Sequence, residues 1–368
     1  MKPCLLILLV VIPLSSLNAR WGWGAHRFIN DKAVDHLPEV MDFFQTHRDY
    51  LAEHSVDPDT DGDPGYYHYI DIDYYPEFFS GTLPHEWEAM IDLYGQSIME
   101  DNGLIPWVIE WWMEALTTQL ESENWNAVWQ TAAELGHYVA DSHQPLHLTL
   151  NYNGQLTGNY GIHSRYETHM INPHLDDISF EDSTASYWET PLDSTFGYIE
   201  DLLPISDLVM DADDRANAAD PGMNATYYDL MWEDLGDTTI WTLQRSAIDL
   251  ASIWYTAWVN AGSPYPGGLD VSDSQVSIVT ELQTFPNPFN GTITLNFFLP
   301  QDEYSNVRVY DLRGGQVLSL ASEDLSKGEH AFHWDGTDQN GHEVNSGLYL
   351  VVLQTPGFRS INKITLLR

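Results

Sequence analysis

The segment His137-Tyr-Val-Ala-Asp141-Ser-His-Gln-Pro-Leu-His147, followed by His163-Ser-Arg-Tyr-Glu167, places His137, Asp141, His147, His163 and Glu167, five strong metal-binding side chains, within about thirty residues. His137 and Asp141 stand at i and i+4, as do His163 and Glu167. On a helix each pair projects from one face and can grip one ion. Imidazole and carboxylate ligands without thiolate suit zinc and leave coordination positions open for water and substrate. A structural zinc site would more typically recruit cysteine, and the one cysteine here is Cys4.

Cys4 lies in a segment that reads as a secretory signal over residues 1–20. Lys2 supplies the positive start, Leu5 to Ile12 the apolar core and Ser15 to Ala19 the small-residue region. The run is too short to span a bilayer. The expected mature chain is therefore exported, secreted or held at the cell surface, and cysteine-free, so its stability cannot rest on disulfides. With 368 residues the chain is long enough for two ordinary hydrophobic cores. Its 14 Lys plus Arg against 55 Asp plus Glu give a formal net charge of -41, a surface that repels phosphate backbones. Solubility in a demanding external medium is the plainest reading of that charge.

From Trp21 to Gly262 the apolar spacing is helical. Trp125, Val128, Trp129, Ala132, Gly136 and Ala140 follow the 3.6-residue period straight into the His137/Asp141 pair. Further helices are expected over 26–51, 86–98, 105–120, 195–210 and 238–260. Gly262-Ser-Pro-Tyr-Pro-Gly-Gly268 then punctuates the chain, and short alternating runs follow over 292–298, 306–311, 330–334 and 348–354. With turn signals such as Asp335-Gly-Thr-Asp-Gln-Asn-Gly341 between them, these predict a β-sandwich. The expected organisation is a helical domain over 21–262, a linker over 263–274 and a small all-β domain over 275–368.

Three upstream segments extend the metal cluster: Trp21-Gly-Trp-Gly-Ala-His26, Asp57 in Val-Asp-Pro-Asp, and His68 in Tyr-His-Tyr-Ile-Asp-Ile-Asp. The ordered set resembles the trinuclear zinc phosphodiesterases, a superfamily that contains the secreted bacterial zinc-dependent phospholipases C and the single-strand-specific zinc nucleases. The resemblance covers residues 21–262 and implies an all-α domain holding two or three zinc ions. It assigns one zinc to Asp57, His68, His137 and Asp141, and a second to His147, His163 and Glu167. A third would use the amino group and carbonyl of Trp21 with His26, sharing Asp141 as a bridge. That role needs Trp21 at the start of the mature chain, hence cleavage or trimming beyond Arg20. Adjacent zinc ions acidify water and neutralise phosphoryl charge, and the resemblance implies that Asp57 orients or deprotonates the attacking water.

Within the superfamily the features are mixed. Glu167 as the last ligand, the absence of cysteine and the strong acidity look like the phospholipases, with a phospholipid head group as substrate and transient contact with a membrane surface. The five-residue step from Trp21 to His26 and the motif His68-Tyr-Ile-Asp71 look like the nucleases. There Tyr69 would stack on a base of single-stranded nucleic acid and Asp71 hydrogen-bond it. The balance favours phospholipase C, with nuclease as the alternative. In the β domain, Phe285-Pro-Asn-Pro-Phe-Asn290, Val307-Arg-Val-Tyr-Asp-Leu312 and Ser346-Gly-Leu-Tyr349 resemble the immunoglobulin-like sorting domains of type IX secretion substrates. That resemblance implies outer-membrane secretion machinery as a partner.

Plainer readings compete. Asp57-Pro-Asp-Thr-Asp-Gly-Asp63 matches the start of a calcium loop, but His68 occupies the place of the final bidentate Glu. His54, His143, His169 and His174 hold no motif position and read as supporting or surface residues. Trp107, Trp111, Trp112, Trp125 and Trp129 could form a lipid-engaging face, although their helical spacing favours packing. A surface binding protein that kept the fold and lost activity would lack a ligand, and every expected side-chain ligand is present.

Overall fold

Apolar residues on all sides of the stretch Leu250 to Val259 make it the axis of the helical domain. In the computed structural model, which describes residues 22–180, 183–266, 282–299, 301–355 and 359–368, this whole stretch is buried. The expected signal segment, Trp21 and residues 267–274 of the expected linker lie outside the described residues. The helices that build the site are α1 (Trp23–Ala33), α2 (Arg48–His54), α3 (Asp57–Asp61), α4 (Ile105–Glu121), α5 (Trp125–Ser142), α6 (Pro191–Leu202), α7 (Ile205–Ala219) and α8 (Ala225–Asn260). The axial helix α8 packs on α1, α4, α5 and α7. It is tied to α5 by the Trp254 indole, which donates to the Ala132 carbonyl at 3.1 Å. No helix among the described residues is long and apolar enough to cross a membrane.

Local chemistry breaks three of the expected helices. The 26–51 span stops at Ala33, because Pro38 holds Leu37 extended (ψ 141°), and continues as 3-10 turns before α2. The 86–98 span is cut by Gly95, whose φ of +81° no β-carbon residue adopts cheaply. The 195–210 span divides into α6 and α7 at Leu203-Pro204. Trp107 and Trp129 are buried, and Trp111, Trp112 and Trp125 pack against the same core, so the Trp-rich stretch is packing.

The β domain is a sandwich of two antiparallel sheets. One has the order β1 (Gln283–Phe285), β2 (Ile293–Leu299), β5 (Gly328–Trp334). The other has β4 (Gln316–Leu325), β3 (Glu303–Asp311), β6 (Gly347–Gln354), β7 (Arg359–Leu366). Alternation sets β2, whose Ile293, Leu295, Phe297 and Leu299 face the inner core with Trp334 and Phe289. Strands β1, β4 and β7 were not foreseen.

Strand β6 shows why the two cores are not separate. Tyr349, Val351 and Leu353 face the sandwich interior, while Leu350 and Val352, on the opposite face, join Tyr310 in the helical-domain core. Around this contact Arg308 pairs with Glu39 at 3.2 Å, Arg359 pairs with Asp42 at 3.1 Å and lies over the Tyr265 ring, and the Tyr187 amide donates to the Leu312 carbonyl. The helical domain thus covers the outer face of the four-stranded sheet, which would otherwise leave an apolar patch in water.

Candidate metal centre

Backbone pairing draws the ligand-bearing segments together. The Ile70 amide donates to the His147 carbonyl at 2.8 Å and the Ile72 amide to the Leu148 carbonyl at 3.2 Å, which lays 68–72 alongside 147–148. Helices α1 and α5 meet at Gly136, where an added Cβ would lie 2.2 Å from the Asn30 side chain. That close approach stacks His26 on His137, ring centroids 4.1 Å apart.

Among the described residues three groups of potential ligand atoms result, each within a 4.8 Å span: His26, His137 and Asp141; Asp59, His68 and His137; His147, His163 and Glu167. Asp141 stands between them. Its Oδ2 lies 3.0 Å from His68 Nδ1 and 3.1 Å from His137 Nε2, and its Oδ1 lies 3.4 Å from His26 Nε2 and 3.5 Å from His147 Nδ1. Glu167 lies 3.0 Å from His163 Nε2, on a π-helical turn over Arg165–Met170. Between these two residues Arg165 points into a buried network with Asp213 (2.8 Å) and Tyr227 (2.9 Å) that anchors the turn.

The donor set fits a metal on physical grounds. His137, His147 and His163 each donate Nδ1–H to a backbone carbonyl, of Ser55, His68 and Tyr152 respectively, which turns Nε2 toward the ligand groups and, for His147 and His163, favours the tautomer with Nε2 bare. His147 Nε2 and His163 Nε2 then present lone pairs to each other across 3.0 Å. Such an arrangement repels unless a cation lies among them. Among the described residues, neither ring nitrogen of the fully buried His26 makes a hydrogen bond, nor does Asp141 Oδ1. Burial, reinforced by His137, holds the His26 imidazole well below its usual range, and burial pulls His147 down to about 4, so both are neutral ligands at ordinary pH. Burial alone would raise Asp141, but His147 and His137 hold it well below the usual carboxylate range. These groups can hold two or three zinc ions.

The structure brings Asp59, rather than Asp57, to these groups. Asp57 accepts from His54 Nδ1 (2.7 Å) and Gln130 Nε2 (3.0 Å), whereas Asp59 Oδ1 lies 3.4 Å from His137 Nε2 and 3.9 Å from His68 Nδ1. Two residues along α3 is a rotation of roughly 200°, so the carboxylates point to opposite sides. The Asp57 side chain is 24% exposed and that of Asp59 4%. Asp63 meanwhile accepts from the Tyr138 hydroxyl at 2.5 Å. The acids of the would-be calcium loop therefore diverge to separate partners. Asp59→Ala is expected to remove zinc from the His68/His137 group and cut hydrolysis at least a hundredfold, a loss of about 3 kcal/mol. Asp57→Ala should cost less than tenfold. Metal content and turnover of the two variants check this, and the reverse order would restore Asp57 as ligand.

Tyr69 and Asp71 sit just after His68. The Tyr69 hydroxyl donates to the Asp101 carbonyl at 3.3 Å, and burial raises Asp71 to about 7, with Asp73 adding to the shift. Gln144 was not foreseen: its Nε2 reaches Glu167 Oε2 at 3.4 Å, and its Oε1 caps the Leu146 amide. Its place in Asp-x-x-Gln-Pro-x-His was the available signal. His143 is bound to Asp249 (3.1 Å), and His174 stacks on Trp232.

In metal-free protein, burial keeps the His147 imidazole unprotonated well below its usual range. The folded state resists protonation that the unfolded chain accepts at 6.5, so this stabilisation is complete above pH 6.5 and is lost as pH falls toward 4. At about 1.4 kcal/mol per tenfold in proton affinity, it is worth about 3 kcal/mol. Urea unfolding of the metal-free parent against His147→Gln should show the parent losing stability faster over that interval. Parallel pH profiles would contradict a neutral, buried His147.

A family model described as zinc dependent phospholipase C matches residues 25–213, and one described as FlgD Ig-like domain matches residues 284–356. Among curated proteins, a probable serine protease of Bradyrhizobium tropiciagri is 25% identical over 202 residues, 45% of this chain. The chain spans 25% of the length of that relative. Among solved structures, α-toxin from Clostridium perfringens aligns over 93% of this chain and 97% of its own, with 12% identity and a TM-score of 0.45. Alpha toxin from Clostridium absonum aligns over the same shares with 11% identity and a TM-score of 0.43. PorU from Porphyromonas gingivalis is 26% identical over 24% of this chain and 9% of its own, with a TM-score of 0.21.

Proposed function

The chain belongs to the zinc dependent phospholipase C family, and on that premise we propose that it is an exported phosphodiester hydrolase of phospholipase C type. It would cleave the glycerol–phosphate bond of phospholipids. The observation that carries this reading is the arrangement of three imidazole–carboxylate groups around the shared Asp141. Bound zinc would supply phosphoryl polarisation and an acidified water. The chain's own residues do the rest. His26 and His147 stay neutral and present lone pairs, and Asp141 addresses neighbouring groups with its two oxygens. Asp59 Oδ1, beside His137 Nε2, would hold the ion of the His68/His137 group. Burial of the ligands keeps bulk water from competing with these contacts.

Glu167 as the final carboxylate and the net charge of -41 favour a lipid head group over a polyanion. The nuclease reading draws its support from Asp71. A carboxyl raised to about 7 retains a proton near neutrality and can donate to a base beside Tyr69. Purified, zinc-loaded protein offered phosphatidylcholine vesicles and single-stranded DNA separately is expected to release phosphocholine and diacylglycerol. Nucleotide release with intact lipid would replace this reading with the nuclease one. For the β domain, the motifs quoted above support a role in sorting to the cell surface through outer-membrane secretion machinery. Localisation of a chain truncated before residue 275 in its native host tests that role, and unchanged localisation would exclude it.

A further inference from the structure

Trp23 is the most exposed tryptophan among the described residues of the helical domain. It is 51% exposed, yet its indole Nε1 donates to Asp59 Oδ2 at 3.2 Å. The other oxygen of the same carboxylate faces His137 and His68. A half-exposed ring gains little from burial, so its polar handle is the feature that gives the position consequence. The backbone on either side is closely fitted. A Cβ on Gly22 would lie 2.9 Å from Thr168 Oγ1, and one on Gly24 would lie 2.7 Å from Asn172 Oδ1. Two glycines therefore let the first turn of α1 lie tight against the segment that follows Glu167. One turn further on, the same helix delivers His26 to the metal groups.

We propose that Trp23 is a positioning residue for the metal centre: its indole N–H holds Asp59 so that Oδ1 is presented to the ion shared with His68 and His137. The first turn of α1 thereby links three ligand groups, through Trp23 to Asp59, through His26 to Asp141, and through its glycines to the Glu167 turn. An outer partner that orients a ligand in this way typically governs metal affinity by about 10- to 100-fold. The inference rests on the metal-centre reading and goes beyond it by naming the residue that orients one of its carboxylates.

The test is a zinc titration of the dialysed full chain against a competing chelator, with Trp23→Phe, Asp59→Ala and the double variant beside the parent. Trp23→Phe keeps an aromatic ring and removes the donor. One bound zinc should weaken by about tenfold while the His147/His163/Glu167 site is unchanged. The thermal midpoint of the metal-free protein should stay at the parental value, because a half-exposed ring is conserved. In the Asp59→Ala background the second substitution should add nothing. Parental zinc affinity in Trp23→Phe overturns the inference. So does a loss that persists without Asp59, or one that tracks a lowered metal-free midpoint, since either marks a general structural role. A parent that binds no zinc would overturn the metal-centre reading itself, a result distinct from both.

Discussion

Replacing Asp141 by Asn is expected to lower phosphodiester turnover by at least a thousandfold, about 4 kcal/mol of transition-state stabilisation. Asp141 lies within 3.5 Å of a ring nitrogen of His26, His68, His137 and His147. An amide of the same shape keeps the volume but gives up the negative charge and one acceptor. The histidines would then converge on a neutral group, and cations placed among them would lose their common counter-ion. Zinc content should fall together with activity, while the metal-free fold is retained because the substitution is isosteric. His174→Ala, which removes a ring stacked on Trp232, should change turnover by less than about twofold. Equal losses from both would show that the site has been placed wrongly.

Gly136→Ala should destabilise the helical domain by about 1–2 kcal/mol. In an ordinary helix interior this change gains up to about 1 kcal/mol from reduced backbone entropy. Here the new methyl would lie 2.2 Å from Asn30 Oδ1 and 2.5 Å from Nδ2. Asn30 is fully buried and donates to the His26 carbonyl at 3.1 Å. If Asn30 rotates, a buried amide loses its partner, at about 1–3 kcal/mol. If α1 moves instead, overpacking costs about 1–3 kcal/mol and His26 leaves its stack on His137. Either route outweighs the entropic gain. Urea unfolding of metal-free protein gives the stability change, and zinc titration reports whether His26 has been displaced. A stability equal to or above that of the parent would mean that the helices do not cross at Gly136 as described.

The ligand series was legible because metal chemistry constrains both residue type and spacing: His137 with Asp141 and His163 with Glu167 need only a helical turn to converge. The choice between Asp57 and Asp59 was not legible in the same way. It depends on the phase of the five-residue helix α3, and that phase is set by distant partners, Gln130 for Asp57 and His137 for Asp59. Trp23 was invisible for a similar reason, since its role lies in one hydrogen bond to a residue 36 positions away. In the sandwich, β2 announced itself by burial at every second residue. Strands β4 and β7 have mostly exposed or half-buried residues, and β1 has only three, so none carried a strong alternating signal. The doubly buried β6 read as one apolar strand. That its two faces serve different cores followed from docking that local periodicity does not encode.

The central claim, a zinc centre assembled around Asp141, is tested most directly by elemental analysis of the folded full chain after dialysis to remove loosely held metal. Two or three zinc ions per chain are expected. Fewer than two in folded protein, or calcium in their place, would contradict it.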